Sequence, residues 1–201
     1  EKQRLDRVLA ELGGADAFKA LLDGLASSDE QTARAAALSV RERVSEADAR
    51  TKKSYAGAVM KALSKRGERS APHEAALLKI LGWCESIDAV PVLLDVVGDD
   101  KRAATVRQEA VIALRFALAS GVADKAVVDA LLDVAAGVDA SLARTAVDTV
   151  AGLALDDKAA PKLAQLALHR DPQLARFAVE KLGAQVVAKA AGALVDFVLR
   201  A

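Results

Sequence analysis

Apolar residues fall along most of this chain at helical spacing. Val90, Leu93, Leu94 and Val97 stand at i, i+3, i+4 and i+7, which puts one apolar stripe on one face of a helix. Pro91 falls in the first turn, where its missing N–H would have no partner anyway. Gly98, Asp99 and Asp100 stop that helix and turn the chain. Val106, Ala110, Val111, Leu114 and Leu118 then form the stripe of a second helix. Two helices with one apolar face each cannot hide both faces alone, so the pair needs neighbours stacked on either side.

The sequence supplies them. The second-helix core Ala110-Val111-x-x-Leu114 recurs as Ala36-Ala37-x-x-Val40, Ala146-Val147-x-x-Val150 and Ala178-Val179-x-x-Leu182, and more loosely as Leu77-Leu78-x-x-Leu81. The first-helix core Leu93-Leu94-x-x-Val97 recurs as Leu21-Leu22-x-x-Leu25, Val59-Met60-x-x-Leu63, Leu131-Leu132-x-x-Ala135 and Leu163-Ala164-x-x-Ala167. The spacing between second-helix cores runs from 32 to 41 residues. The pattern predicts one repeat domain over residues 1–201. Its parts are a capping helix at 1–14, repeats at about 15–44, 46–85, 86–120, 122–155 and 157–183, and a terminal helix at 185–201. The terminal helix carries Val186, Val187, Ala190, Leu194 and Val198 and ends without a polar cap, which suggests a cut from a longer array or packing on a partner.

An Asp at the turn and an Arg five residues on also repeat, as Asp29/Arg34, Asp139/Arg144 and Asp171/Arg176, with Asp100 and Arg107 more widely spaced in the central unit. This Asp-x-x-x-x-Arg-x-Ala pattern, clearest from Asp139 to Ala146, resembles the HEAT-repeat family. It is most similar to the short bacterial repeats of the phycobilin-lyase type. The second repeat departs from the pattern. The resemblance implies an all-α, right-handed superhelix of about five helix pairs plus terminal helices. In such a solenoid the first helices form an outer layer and the second helices an inner, concave one. It also implies that the Arg of one unit meets the Asp of a neighbouring turn. HEAT arrays serve as scaffolds, adaptors and sometimes enzymes, so the fold alone does not choose.

Composition narrows the choice. Lys+Arg and Asp+Glu both number 28, so the chain lacks the basic excess of most nucleic-acid binders. Aromatic residues are only 3%, with no interleaving of aromatic and basic positions of the kind the HEAT-like alkylpurine DNA glycosylases imply. One cysteine excludes an intramolecular disulfide. No apolar run reaches membrane-spanning length, and no signal peptide is visible. The chain begins at Glu1 without a Met, which suggests a processed form; a cytoplasmic location is the expectation, with export after removal of a signal left open.

Candidate chemistry is sparse. His73-Glu74 has the look of a metal pair, and a HEAT-family enzyme class, the deoxyhypusine hydroxylases, is expected to hold two irons with several such pairs. Here the matching places hold Thr32-Ala33, Val106-Arg107, Leu142-Ala143 and Leu174-Ala175, and the other histidine is His169. A helix-start role for His73 is the simpler reading. Cys84 follows Trp83 near a helix end, where the helix dipole does not favour a thiolate, so a buried or interface thiol is expected. Gly13-Gly14 lacks the strand-to-helix context of a phosphate loop.

From Arg41 to Arg69 there are nine basic and four acidic residues. Arg50, Lys52, Lys53, Lys61, Lys65 and Arg66 therefore form a candidate anion patch, with a solvated outer helix as the plainer alternative. Polar positions between the apolar ones of the second helices, Ser39, Lys79, Arg115, Asp148 and Glu180, are the candidate partner-binding surface. The expectation is a non-catalytic scaffold or adaptor that binds another protein or peptide, with no cofactor and no metal. The alternatives are nucleic-acid or phosphate binding through residues 50–69 and a lyase-like enzyme acting on a small ligand.

Overall fold

The computed structural model describes residues 14–65, 69–119, 124–184, 195 and 197–200. Among these residues the regular structure is helical, and the helices form an all-α solenoid. They fall into five consecutive pairs: α1 (Gly14–Leu25) with α2 (Glu30–Glu46), α3 (Ala49–Ser64) with α4 (Ala71–Trp83), α5 (Val90–Gly98) with α6 (Ala104–Ala117), α7 (Lys125–Ala135) with α8 (Ala140–Val150), and α9 (Ala160–Ala167) with α10 (Pro172–Ala184). The expected cap at 1–14 lies outside the described residues except for Gly14, as do Val186, Val187, Ala190 and Leu194 of the terminal helix. Val195, Val198 and Leu199, which are described, are exposed.

The helix starts follow from the orphan N–H groups of a first turn, which need acceptors. The Thr32 N–H donates to Asp29 at 2.9 Å, Thr51 to Asp48 at 2.7 Å, and Leu142 to Asp139 at 2.8 Å. The Ser70 hydroxyl accepts from the His73 N–H at the start of α4. Helices α5 and α9 begin differently and alike: each follows a single 3-10 turn, Ile87–Ala89 and Asp157–Ala159, and each has a proline, Pro91 or Pro161, in its first turn.

Second helices stack on second helices along the array, and first helices on first helices at α1–α3, α5–α7 and α7–α9, giving two layers. The apolar stripes meet between them in one continuous core that includes Leu21, Val40, Leu78, Leu93, Leu114, Leu131, Val150, Leu163 and Leu182. In the first layer the Phe18 and Tyr55 rings stack with centroids 3.9 Å apart, tying α1 to α3. In the second layer α4 and α6 make the most extensive helix–helix contact. Gly82 makes it possible, because a Cβ there would sit 3.0 Å from the Ala113 Cα.

The repeated Asp and Arg divide their roles. Asp29 and Asp139 cap helices while Asp100 does not, and the ladder to a neighbouring turn forms at one step among the described residues, where Arg144 meets Asp171 at 2.8 Å. Arg107 instead donates to the Val97 carbonyl of its own pair, and Arg176 pairs with Glu180 one turn along α10.

Candidate functional site

The second-helix layer is the surface on which the sequence places its candidate residues, and the structure separates them. Lys79 on α4, Arg115 on α6, Asp148 on α8 and Glu180 on α10 are exposed. Ser39 is not on that surface. It is 4% exposed, and its Oγ finds no hydrogen-bond partner among the described residues. The reason is helical spacing: Ser39 shares the side of α2 that buries Ala36, and it adjoins the fully buried Val40. A serine is small enough to enter that packing, so the polar letter does not mark a surface position.

The α6–α8 junction is closed by polar groups. The Gln108 amide donates to the Thr145 hydroxyl at 3.1 Å. The Arg115 guanidinium donates to the Thr149 hydroxyl at 3.2 Å and to the Thr145 carbonyl at 3.4 Å. Ser141, Thr145 and Thr149 stand four residues apart on α8, so their hydroxyls line one seam. Arg115 is therefore held across that seam.

The α4–α6 junction is open. Lys79, Gly82, Trp83, Glu109, Ile112, Ala113 and Phe116 line a cavity of about 290 Å³. A second cavity of about 320 Å³ adjoins it at the helix C-termini, where Arg41, Ser45, Lys52 and Glu85 meet the same Trp83 and Phe116. The two rings are thus walls common to both spaces. Phe116 is 43% exposed and Trp83 is half-buried. Lys79 and Trp83 are one turn apart on α4, and Ile112 and Phe116 one turn apart on α6, so each helix presents two groove residues on one face. Glu85 closes the far edge with φ of 53°, the one non-glycine residue in the left-handed region among those described. Such backbone is costly for a residue with a Cβ. Here it follows the α4 C-cap at Cys84, and the Glu85 carboxylate accepts from Lys52 at 3.1 Å.

The anion patch is reduced by pairing. Lys52 is committed to Glu85 and Lys53 to Asp88 at 2.8 Å, and the Asp88 carboxylate holds the Lys53 ammonium above its ordinary pKa. Arg50 and Lys61 on α3 and Lys65 at its C-cap are exposed, and Arg66 lies outside the described residues. Arg69, counted in the same basic stretch, donates to the Ala62, Leu63 and Lys65 carbonyls and so closes the C-terminal end of α3.

The remaining reactive letters are structural in their surroundings. Cys84 is 3% exposed, and burial pushes its thiol up to about 12, so it stays protonated. His73 is half-buried; burial and then the Arg69 charge hold its pKa below the ordinary imidazole value. Glu74, its sequence neighbour, is ion-paired with Arg102 of the next repeat.

No family model and no curated protein matches the chain. Among solved structures the chain is similar to human deoxyhypusine hydroxylase in complex with glycerol. The TM-score is 0.52 at 19% identity, over 90% of this chain and 67% of the other. That likeness is one of fold, and it supports a helical-repeat architecture. It also corrects the expectation of a non-catalytic scaffold that is not an enzyme. The expectation leaned on the solenoid as a binding platform, and the solenoid it resembles is that of an enzyme.

The two-iron ligand set that the resemblance to the deoxyhypusine hydroxylases implies is not matched among the described residues. At the places matching His73-Glu74, Val106, Leu142 and Leu174 are core residues at 1, 3 and 1% exposure, and Ala143 has no ligating atom. Glu74 is taken by Arg102, and among the described residues no three His, Cys, Asp or Glu side chains converge. These residues do not fit two irons. No helix among the described residues is long and apolar enough to cross a membrane.

Proposed function

We propose that this chain binds a small, largely apolar molecule in the α4–α6 groove, and that the groove is the substrate site of an enzyme built on a HEAT-like solenoid of the short bacterial type. The observation that carries the reading is the pair Trp83 and Phe116, one half-buried and one exposed, which wall a cavity at this junction while the next junction, α6–α8, is sealed by hydrogen bonds. Small-molecule sites are concave, mostly apolar and edged by a few polar groups. The groove has that composition, with Lys79, Glu109 and Arg41 at its margins. The likeness in fold to deoxyhypusine hydroxylase supports the catalytic half of the reading. Deoxyhypusine itself is not the proposed substrate, because the residues here do not fit the two-iron set that the resemblance implies.

Trp83 is the only tryptophan in the chain, so its fluorescence reports on the groove directly. Titration with small uncharged aromatic and aliphatic alcohols is expected to shift Trp83 emission saturably, and Phe116→Ala is expected to weaken that response by about tenfold or more. A response that stays linear for every probe and is unchanged by Phe116→Ala would overturn the reading.

A further inference from the structure

We propose that the groove takes a small apolar zwitterion of the amino-acid type, its carboxylate on Lys79, its ammonium on Glu109 and its apolar part against Trp83, Ile112 and Phe116; this rests on the reading of the groove as a ligand site. The argument starts from charge pairing. At several repeat junctions of this solenoid opposite charges pair: Arg102 with Glu74, Lys53 with Asp88, Arg144 with Asp171 and Lys162 with Asp133. Lys79 and Glu109 face the same cavity from adjacent helices and form no such pair, either with each other or with another described residue. Their charged atoms stay farther apart than the 4.0 Å of an ion pair. The floor between them is apolar and cannot bridge the gap.

A molecule that carries both charges would complete the site. Each of its charges would meet an opposite one next to low-dielectric walls, where such pairing is stronger than in open water. The cavity volume of about 290 Å³ sits at the small end of ligand sites and suits a single amino-acid-sized body. A molecule with only one charge would leave Lys79 or Glu109 as it is now. An uncharged one would gain the aromatic contact alone.

The test is titration of the whole chain with L-phenylalanine, N-acetyl-L-phenylalanine, L-phenylalanine amide and 2-phenylethanol, read by Trp83 fluorescence. Phenylalanine is expected to bind saturably, and each blocked form to bind at least tenfold more weakly. Lys79→Gln should abolish the preference for phenylalanine over its amide and leave the preference over the N-acetyl form. Glu109→Gln should do the reverse. Lys79 is exposed and Glu109 half-buried, so both variants are expected to keep the native melting curve, checked by circular dichroism. If 2-phenylethanol binds as tightly as phenylalanine, the zwitterion assignment is overturned and the ligand groove stands. If no probe binds, both fall.

Discussion

Two neighbouring junctions in the same layer are built from the same kind of helix and closed in opposite ways. Between α6 and α8 the contact ends in hydrogen bonds, Gln108 to Thr145 and Arg115 to Thr149. Between α4 and α6 it ends in Gly82 pressed on Ala113, with the half-buried Trp83 and the exposed Phe116 standing beside the contact. The backbones of α4 and α6 come close because one residue has no side chain, and the larger residues flanking that point are left to wall a groove. The comparison teaches that seam residues set both how closely two stacked helices approach and whether their junction stays open or is sealed.

The strongest way to break the comparison is to fill the close approach. A Cβ at Gly82 would lie 3.0 Å from the Ala113 Cα and 3.2 Å from its Cβ, so helix backbone must move. Gly82→Val is expected to cost about 2–3 kcal/mol, as overpacking in a tight core does, reduced a little by the gain in helix propensity over glycine. Urea unfolding measures it. The variant should also lose the Trp83 response to ligands, because α4 and α6 carry the groove walls. A neutral Gly82→Val would mean that the junction tolerates a wider spacing and that the groove is not set by the glycine.

A smaller effect sharpens the polar side. Thr149 is 1% exposed, and its hydroxyl both accepts from Arg115 and donates to the Thr145 carbonyl. Thr149→Val keeps the shape and removes these bonds, at an expected cost of about 1 kcal/mol. Arg115→Met should cost less, since its guanidinium is exposed and recovers water. A double-mutant cycle should then give a positive coupling for Arg115 with Thr149 and none for Lys79 with Glu109. Equal coupling in both cycles would erase the distinction between sealed and open junctions.

The fold was legible because it is written locally. Leu93 and Val97, or Ala110 and Leu114, reveal a helix face within one or two turns, and Asp29 and Asp139 mark helix starts within three residues. The seams were not legible, because they join residues 30 to 37 positions apart whose types do not recur from repeat to repeat. Lys79 and Arg115 stand at equivalent-looking places, yet one borders an open cavity and the other is tied into a seam. Trp83, Ile112 and Phe116 went unremarked as site residues because apolar letters at helical spacing read as core. The cue available was position: Trp83 is one turn from Lys79, on the side of α4 already assigned to the surface. The scaffold expectation failed for a different reason, since sparse catalytic letters were read together with a fold that enzymes also use.

The smallest effect separates two kinds of aspartate. Asp171 follows Arg144 across the α8–α10 step, and the Arg144 hydrogen bond, ahead of its backbone bond from Gln173, holds its carboxyl below the ordinary carboxylate pKa. Asp29 is also lowered, but by the hydroxyl and N–H of Thr32 within its own cap. A folded pKa below the unfolded one means that the contribution is full at neutral pH and is lost as pH falls through the folded value. For a carboxylate that window lies below about pH 4. The stability difference between wild type and Arg144→Gln should therefore be largest near pH 7, fade toward pH 3, and shrink in high salt. The difference between wild type and Thr32→Val should fade with acid in the same way but respond little to salt. Urea midpoints at pH 7 and pH 3, each at low and high salt, decide it. An Arg144→Gln deficit that persists at pH 3 would show that Arg144 acts by packing, and that this step is sealed without its ion pair.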